Sequence, residues 1–363
     1  MAKTIRPGKH FESYEDVIKY LDKEKRERHL LLGNGFSRAY DENIFSYKSL
    51  ASFAKKDGSN SITKLFEITN TSNFEEAIHS IDVCLDIVSI LKSDTKEIRR
   101  ELAELSSNAK KSLIEAITCL HPENVFSLTE YQINKCGNFL LPFLSKDYGC
   151  SIISTNYDLL LYWVLMRFGD SNPNININDS FSYEVNSFDY GEEFDKDDHE
   201  LVWSSGKAQN IYYLHGALHL FSSINGIVKE RYMENDTEKL LLKRIEKRIA
   251  RKEYPLFITE GNGESKQKQI SKNTYLLNCL SHLRSINGSL VTFGFSFGDS
   301  DTHIIDAINM AAHQSAADRL RSVYIGVYND SDKQHIEQIK NKFNVKINTF
   351  DANSADVWGK HNA

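Results

Sequence analysis

The chain has few cysteines, few prolines and no long apolar run. Cys84, Cys119, Cys136, Cys150 and Cys279 make an odd count with no C-x-x-C pair. That excludes a four-cysteine zinc module and argues against a disulfide framework. Reduced thiols fit a cytoplasmic protein. No stretch reaches the roughly 20 apolar residues of a membrane span. The start, Met1-Ala2-Lys3, lacks the apolar core of a secretory signal. Charge of one sign is also missing: the net charge is −6, with Lys and Arg mixed among Asp and Glu. Such a balance argues against nucleic acid as the main ligand. With only 5 prolines and 11% aromatics, the composition is that of an ordered globular chain. Neither an internal repeat nor a low-complexity tract is present.

What is there is an alternation of short apolar runs and helical patterns. His29-Leu30-Leu31-Leu32, Cys150-Ser151-Ile152-Ile153-Ser154, Ile211-Tyr212-Tyr213-Leu214, Ser289-Leu290-Val291-Thr292-Phe293 and Val323-Tyr324-Ile325-Gly326-Val327 read as buried parallel strands. Residues 345–350 read as an edge strand. Helices are expected over 158–168, 236–252, 273–286, 300–313 and 331–343. This order predicts an α/β fold, a Rossmann-like doubly wound parallel sheet. Between 60 and 146 the strand signal vanishes and three amphipathic stripes replace it, a helical insertion whose stripes fit core contacts. The expected division is an N-terminal helical segment over 1–28, a Rossmann-like domain over 29–59 and 147–363, and the insertion over 60–146. The acidic run 192–198 reads as a solvated loop, and the basic face of 236–252 as solvated too.

Four short segments follow strands, where open α/β sheets bind their ligands. In Gly33-Asn34-Gly35-Phe36-Ser37 the glycines allow backbone N–H groups to approach a pyrophosphate, and Ser37 could either donate to a ligand or cap the next helix. In Thr155-Asn156-Tyr157-Asp158 the Asn156 carboxamide donates and accepts at once, which suits holding a water or a ribose hydroxyl. Thr155 and Asp158 equally have capping-box spacing. His215, before Gly216, is placed to act as a general base, with His219 as its rival or a structural residue. In Gly294-Phe295-Ser296-Phe297-Gly298-Asp299-Ser300-Asp301, Gly294 and Ser296 could line a ribose site, while Asp299 or Ser300 would cap a helix whose first turn holds His303.

The order Gly-x-Gly-x-Ser, Thr-Asn-Tyr-Asp, His-Gly, Gly-x-Ser resembles sirtuins, and its Thr-Asn-Tyr-Asp form is closer to bacterial sirtuin-like NADases of anti-phage defence, the Thoeris-type effectors among them. The resemblance spans roughly 29–328 without the helical block. It implies Asn156 and His215 as the catalytic pair. It also implies an NAD site built from Gly33, Asn34, Gly35, Ser37, Thr155, Asp158, Gly294, Ser296 and Asp299. The zinc module of sirtuin deacylases has no counterpart here, which favours hydrolysis of NAD, with no metal, over deacylation. A non-catalytic NAD or ADP-ribose sensor and an ADP-ribosyltransferase are the rival readings. A homo-oligomer and an activating partner protein are expected, because an unrestrained NADase would poison its own cell.

Overall fold

A computed structural model describes residues 8–56, 60–91, 95–145, 149–183, 201–205, 208–231, 241–258, 262–315 and 317–359. The acidic run 192–198 and the first part of the helix expected from 236 lie outside the described residues. The strands in chain order are β1 (His10–Phe11), β2 (Arg28–Leu32), β3 (Ser151–Ser154), β4 (Phe181–Tyr183), β5 (Leu201–Trp203) and β6 (Ile211–Tyr213), followed by β7 (Gly216–Ser223), β8 (Gly226–Lys229), β9 (Pro255–Phe257), β10 (Gly288–Phe293), β11 (Leu320–Val327) and β12 (Lys346–Asp351).

Seven of them form a parallel sheet in the order β1-β12-β11-β10-β2-β3-β6. The apolar runs are its centre: Leu30, Leu31, Leu32, Ile152, Ile153, Leu290, Val291 and Val323 are all buried, as strands covered on both faces require. The chain builds outward from β2 through β3 to β6, then returns to the other side of β2 at β10. That is the doubly wound arrangement, and its switch point lies between β2 and β10. Helices Leu160–Ser171, Thr274–Ser285, Thr302–Ala312 and Asp330–Ile339 make the connections. The expected edge strand at 345–350 is not an edge. His10 and Phe11 pair with Thr349 and Phe350 and add a strand beyond it. The N-terminal segment is accordingly a short strand followed by the helix Tyr14–Glu24, which buries Val17 and Leu21.

The insertion between β2 and β3 is helical, with helices Asn60–Thr69, Phe74–Ser89, Lys96–Leu120 and Glu130–Leu140 among the described residues. A second sheet, absent from the sequence expectation, is antiparallel in the order β4-β5-β8-β7-β9. It joins the first sheet at the sharp turn from β6 into β7. Gly216 makes that turn at φ +81°, where a Cβ would sit 1.7 Å from the Leu256 carbonyl oxygen, so no other residue fits. The described part of the basic helix, Leu241–Ala250, packs on this sheet through Leu241, Leu242 and Ile245. Its Arg248 lies over the Phe221 ring and pairs with Glu230 and Glu253. At least that part of its basic face is therefore used internally.

Candidate active site

Beyond the ends of β2, β3 and β10 lies a cavity of about 530 Å³, within the range of small-molecule sites. Its floor is the motif series: Asn34, Thr155, Asn156, Asp158, His215, Gly294, Ser296 and Asp299 all line it. The helical insertion forms the facing wall with Phe45 beside it, contributing Asn73, Phe74, Glu76, His79, Leu113 and Ile117.

Gly33, Gly35 and Ser37 are not on that wall, which corrects the expected phosphate cradle. The N–H of Gly33 donates to the Phe293 carbonyl at 3.0 Å and that of Gly35 to Gly294 at 2.8 Å. Both are consumed in fastening the β2 turn to the end of β10. The contact is backbone on backbone. A Cβ on Gly35 would lie 2.5 Å from Gly294 Cα, and Gly294, at φ +66°, has no room for one either. Asn34 is the residue of this loop that reaches the cavity.

Ser37 is neither a cap nor a ligand group. It is fully buried inside the helix Gly35–Tyr40. Its hydroxyl accepts from the Asn156 carboxamide at 2.9 Å and donates to Asp158 Oδ2 at 2.5 Å. The other Asp158 oxygen accepts from the Leu160 N–H at 2.9 Å. The expected capping box does not form, because Thr155 Oγ1 turns to the Leu32 carbonyl. Asp158 instead anchors a relay, Asp158–Ser37–Asn156, that fixes the carboxamide in one orientation. Burial raises the Asp158 carboxyl above its ordinary value against the Ser37 and Leu160 hydrogen bonds. The insertion braces the same turn: His121 Nε2 accepts from the Leu159 N–H at 3.0 Å.

His215 lies between the two sheets and is 3% exposed. Its rival His219 is fully buried, stacks on Tyr162 and does not line the cavity. His215 Nε2 is 2.9 Å from Nε2 of His303, in the helix that follows β10. Burial, the Lys266 ammonium and His303 hold His215 well below the ordinary histidine range. Burial and the nearby cations Lys266 and Arg284 bring His303 to about 3. Both rings are therefore neutral at pH 7. Lys266, itself 1% exposed and lining the cavity, is ion-paired with Asp301 at 3.0 Å.

The loop after β10 aims Ser296 at the cavity through a left-handed Phe297 at φ 55°, held by Phe295 and Phe343. A bulky residue in that region is strained and persists only where packing enforces it. The expected cap at Asp299 or Ser300 is replaced by a 3₁₀ turn, Asp299–Asp301, and Asp299 pairs with Lys342. Neither Gly298 nor Asp301 makes a side-chain cap bond.

Residues 30–358 match the family model described as Domain of unknown function (DUF4917). The chain belongs to the DUF4917 family. No curated protein matches it. The match takes in every residue of this DUF4917 cavity, so the site lies inside the family domain. No described helix is long and apolar enough to cross a membrane.

Sequence reading missed Lys266 and Asn262 on the cavity wall and the partnership of His303 with His215. Lys266 sits in a polar helix, and the strand before it, β9, is only three residues long, so nothing local marked it. His215, Asp301 and His303 offer ligand atoms within 4.8 Å of one another. That spacing could hold a divalent cation, but the Lys266 ammonium on Asp301 opposes a second positive charge there. Excess EDTA is therefore expected to leave the melting temperature unchanged. A drop reversed by zinc or magnesium would put a metal in this cluster.

Proposed function

We propose that the cavity binds NAD and that the protein cleaves its nicotinamide–ribose bond with water, giving nicotinamide and ADP-ribose. The observation that carries this reading is the convergence of Asn156 and His215, from two different strand ends, on one cavity at the switch point of a doubly wound sheet. The groups present suit the ligand. Asn34, Thr155, Asn156 and Ser296 offer hydroxyls and carboxamides for riboses and phosphates, Lys266 a cation, and Phe45, Phe74 and Leu113 an apolar face for a flat ring.

Cleavage of such a bond passes through an oxocarbenium-like state. Asn156, locked by Ser37, orients the water or the ribose. His215, neutral at pH 7, accepts a proton from the water or a ribose hydroxyl. Asp158 acts through Ser37, which holds the carboxamide in place. The order of the motifs supports a place among sirtuin-like NADases that deplete NAD in anti-phage defence.

Incubation with NAD followed by chromatography tests the reading. Free nicotinamide and ADP-ribose in equal amounts are expected. Unchanged NAD with tight binding would make the protein a sensor, and ADP-ribose found on an acceptor would make it a transferase.

Control of such an activity falls to surfaces shared with other chains. The insertion exposes Ile87, Ile90, Leu91 and Ile98 around the connection between the packed helices Phe74–Ser89 and Lys96–Leu120, with Ile90 at 79%, and exposed apolar residues there suit a contact with another chain. We propose that this surface packs against a second copy, with an activating partner protein as the trigger. Light scattering is expected to report a homo-oligomer that Ile87→Asp with Ile90→Asp dissociates. A monomer at all concentrations would refute this surface.

A further inference from the structure

We propose that His303 is the positioning residue for His215, accepting a hydrogen bond from its Nε2–H and so leaving its Nδ1 bare to take up a proton. The kinetic part of this inference rests on the NAD-hydrolysis reading; the spectroscopic part does not.

The argument starts from the 2.9 Å contact between the two Nε2 atoms. Only one of them can carry the proton between them. His303 engages Nε2 of His215, so Nδ1 is the nitrogen left for the cavity that His215 lines. If His303 were the donor, the single proton of neutral His215 would sit on Nδ1, and that nitrogen could not act as a base. If His303 is the acceptor, Nδ1 is bare. Proton uptake settles which arrangement catalysis needs. An imidazolium carries N–H on both nitrogens, so a protonated His215 must donate to His303, and His303 must present a lone pair at Nε2. The proton leaving the water or ribose hydroxyl goes to His215 Nδ1, and the Nε2 proton stays shared with His303. The same device, a buried acceptor that sets the tautomer of a catalytic histidine, is known with a carboxylate in the acceptor's place.

The surroundings keep His303 neutral, as that part requires. The helix Gly263–Ser271 sends Lys266 and the helix Thr274–Ser285 sends Arg284 toward it, and both charges oppose its protonation. Asp301, two residues before it at the start of the helix, is ion-paired with Lys266. A neutral His303 can accept; a cationic one could not. The two rings lie nearly parallel, 26° apart with centroids at 5.1 Å, which holds the nitrogens in register.

Nitrogen NMR of the histidine-labelled full chain is expected to find the His215 proton on Nε2. In His303→Phe that signature should be lost, kcat should fall by about 10²-fold with KM for NAD little changed, and the acid limb of the pH–rate profile should move. His303→Gln, which keeps an acceptor oxygen, should recover a large part of kcat and guards against a folding defect in the Phe variant. Three outcomes would overturn the proposal: a His215 proton resting on Nδ1, wild-type kcat and pH profile in a folded His303→Phe, or a stoichiometric divalent cation bound by both histidines. If the wild type leaves NAD intact, the NMR result still decides the pairing, and only the NAD reading fails.

Discussion

Asn156→Ala is expected to lower NAD turnover by about 10²-fold or more, the usual scale for losing a group that handles or positions the reacting proton or charge. Stability should change little. The Ser37 hydroxyl keeps its bond to Asp158 when the carboxamide is gone, and the space opened adjoins the cavity that Asn156 lines. Affinity for NAD should persist, because Asn34, Thr155, Ser296 and Lys266 remain on the wall. Single-turnover kinetics and calorimetric titration with NAD separate the two terms. If binding and turnover fall together, Asn156 holds the substrate and takes no part in the reaction.

Mild acid is expected to unfold the protein. His29, His121, His215, His219 and His303 are all at most 5% exposed. Burial lowers each of them, His29 and His303 to about 3 and His121 to about 4. In the unfolded chain each returns to about 6.5. Below that value the unfolded state binds more protons than the folded one, so stability falls as pH falls. The loss begins near pH 6.5 and continues to about 4 for His121 and about 3 for His29 and His303, where these groups at last titrate in the fold. Each histidine contributes a slope of about 1.4 kcal/mol per pH unit inside that window. Several acting together would consume a typical stability of about 5–15 kcal/mol before pH 4. Asp158, raised by burial, works in the opposite direction but offsets no more than one proton. Urea titrations between pH 5 and 7 measure the slope. His219→Phe should reduce it by one proton while preserving the stack on Tyr162, because neither His219 nitrogen has a hydrogen-bond partner among the described residues. A flat profile over this range would mean that these histidines are protonated or hydrated in the folded state.

The parallel sheet was legible because its strands are buried on both faces. Leu30–Leu32, Ile152–Ile153 and Leu290–Val291 are unbroken apolar runs ending at glycine, serine or threonine, a pattern that survives without tertiary information. The antiparallel sheet was not. Its strands Phe181–Tyr183 and Leu201–Trp203 are three residues each and lie beside an Asn- and Asp-rich stretch, so no period could build up. Asn225-Gly226, at the turn between β7 and β8, was a local signal of a hairpin.

The same distinction runs through the site. Asn156 and His215 were found because chemistry and strand ends coincide in the sequence. The parts of Ser37 and His303 depend on contacts across 119 and 88 residues, which no local pattern encodes. The glycines of the first loop misled for a related reason. A Gly-x-Gly turn looks the same whether its N–H groups face a phosphate or a neighbouring strand, and here Phe293 and Gly294 take them.

The central claim is that this cavity places the nicotinamide ribose of NAD between Asn156 and His215. A crystal structure with an NAD analogue whose nicotinamide-ribose ring oxygen is replaced by methylene tests it directly, since that analogue cannot form the oxocarbenium-like state. The account predicts the analogue across the switch point, its anomeric carbon beside Asn156 and His215 and its phosphates near Asn34. A cavity left empty at saturating analogue, or a nicotinamide ribose lodged away from both residues, would contradict it.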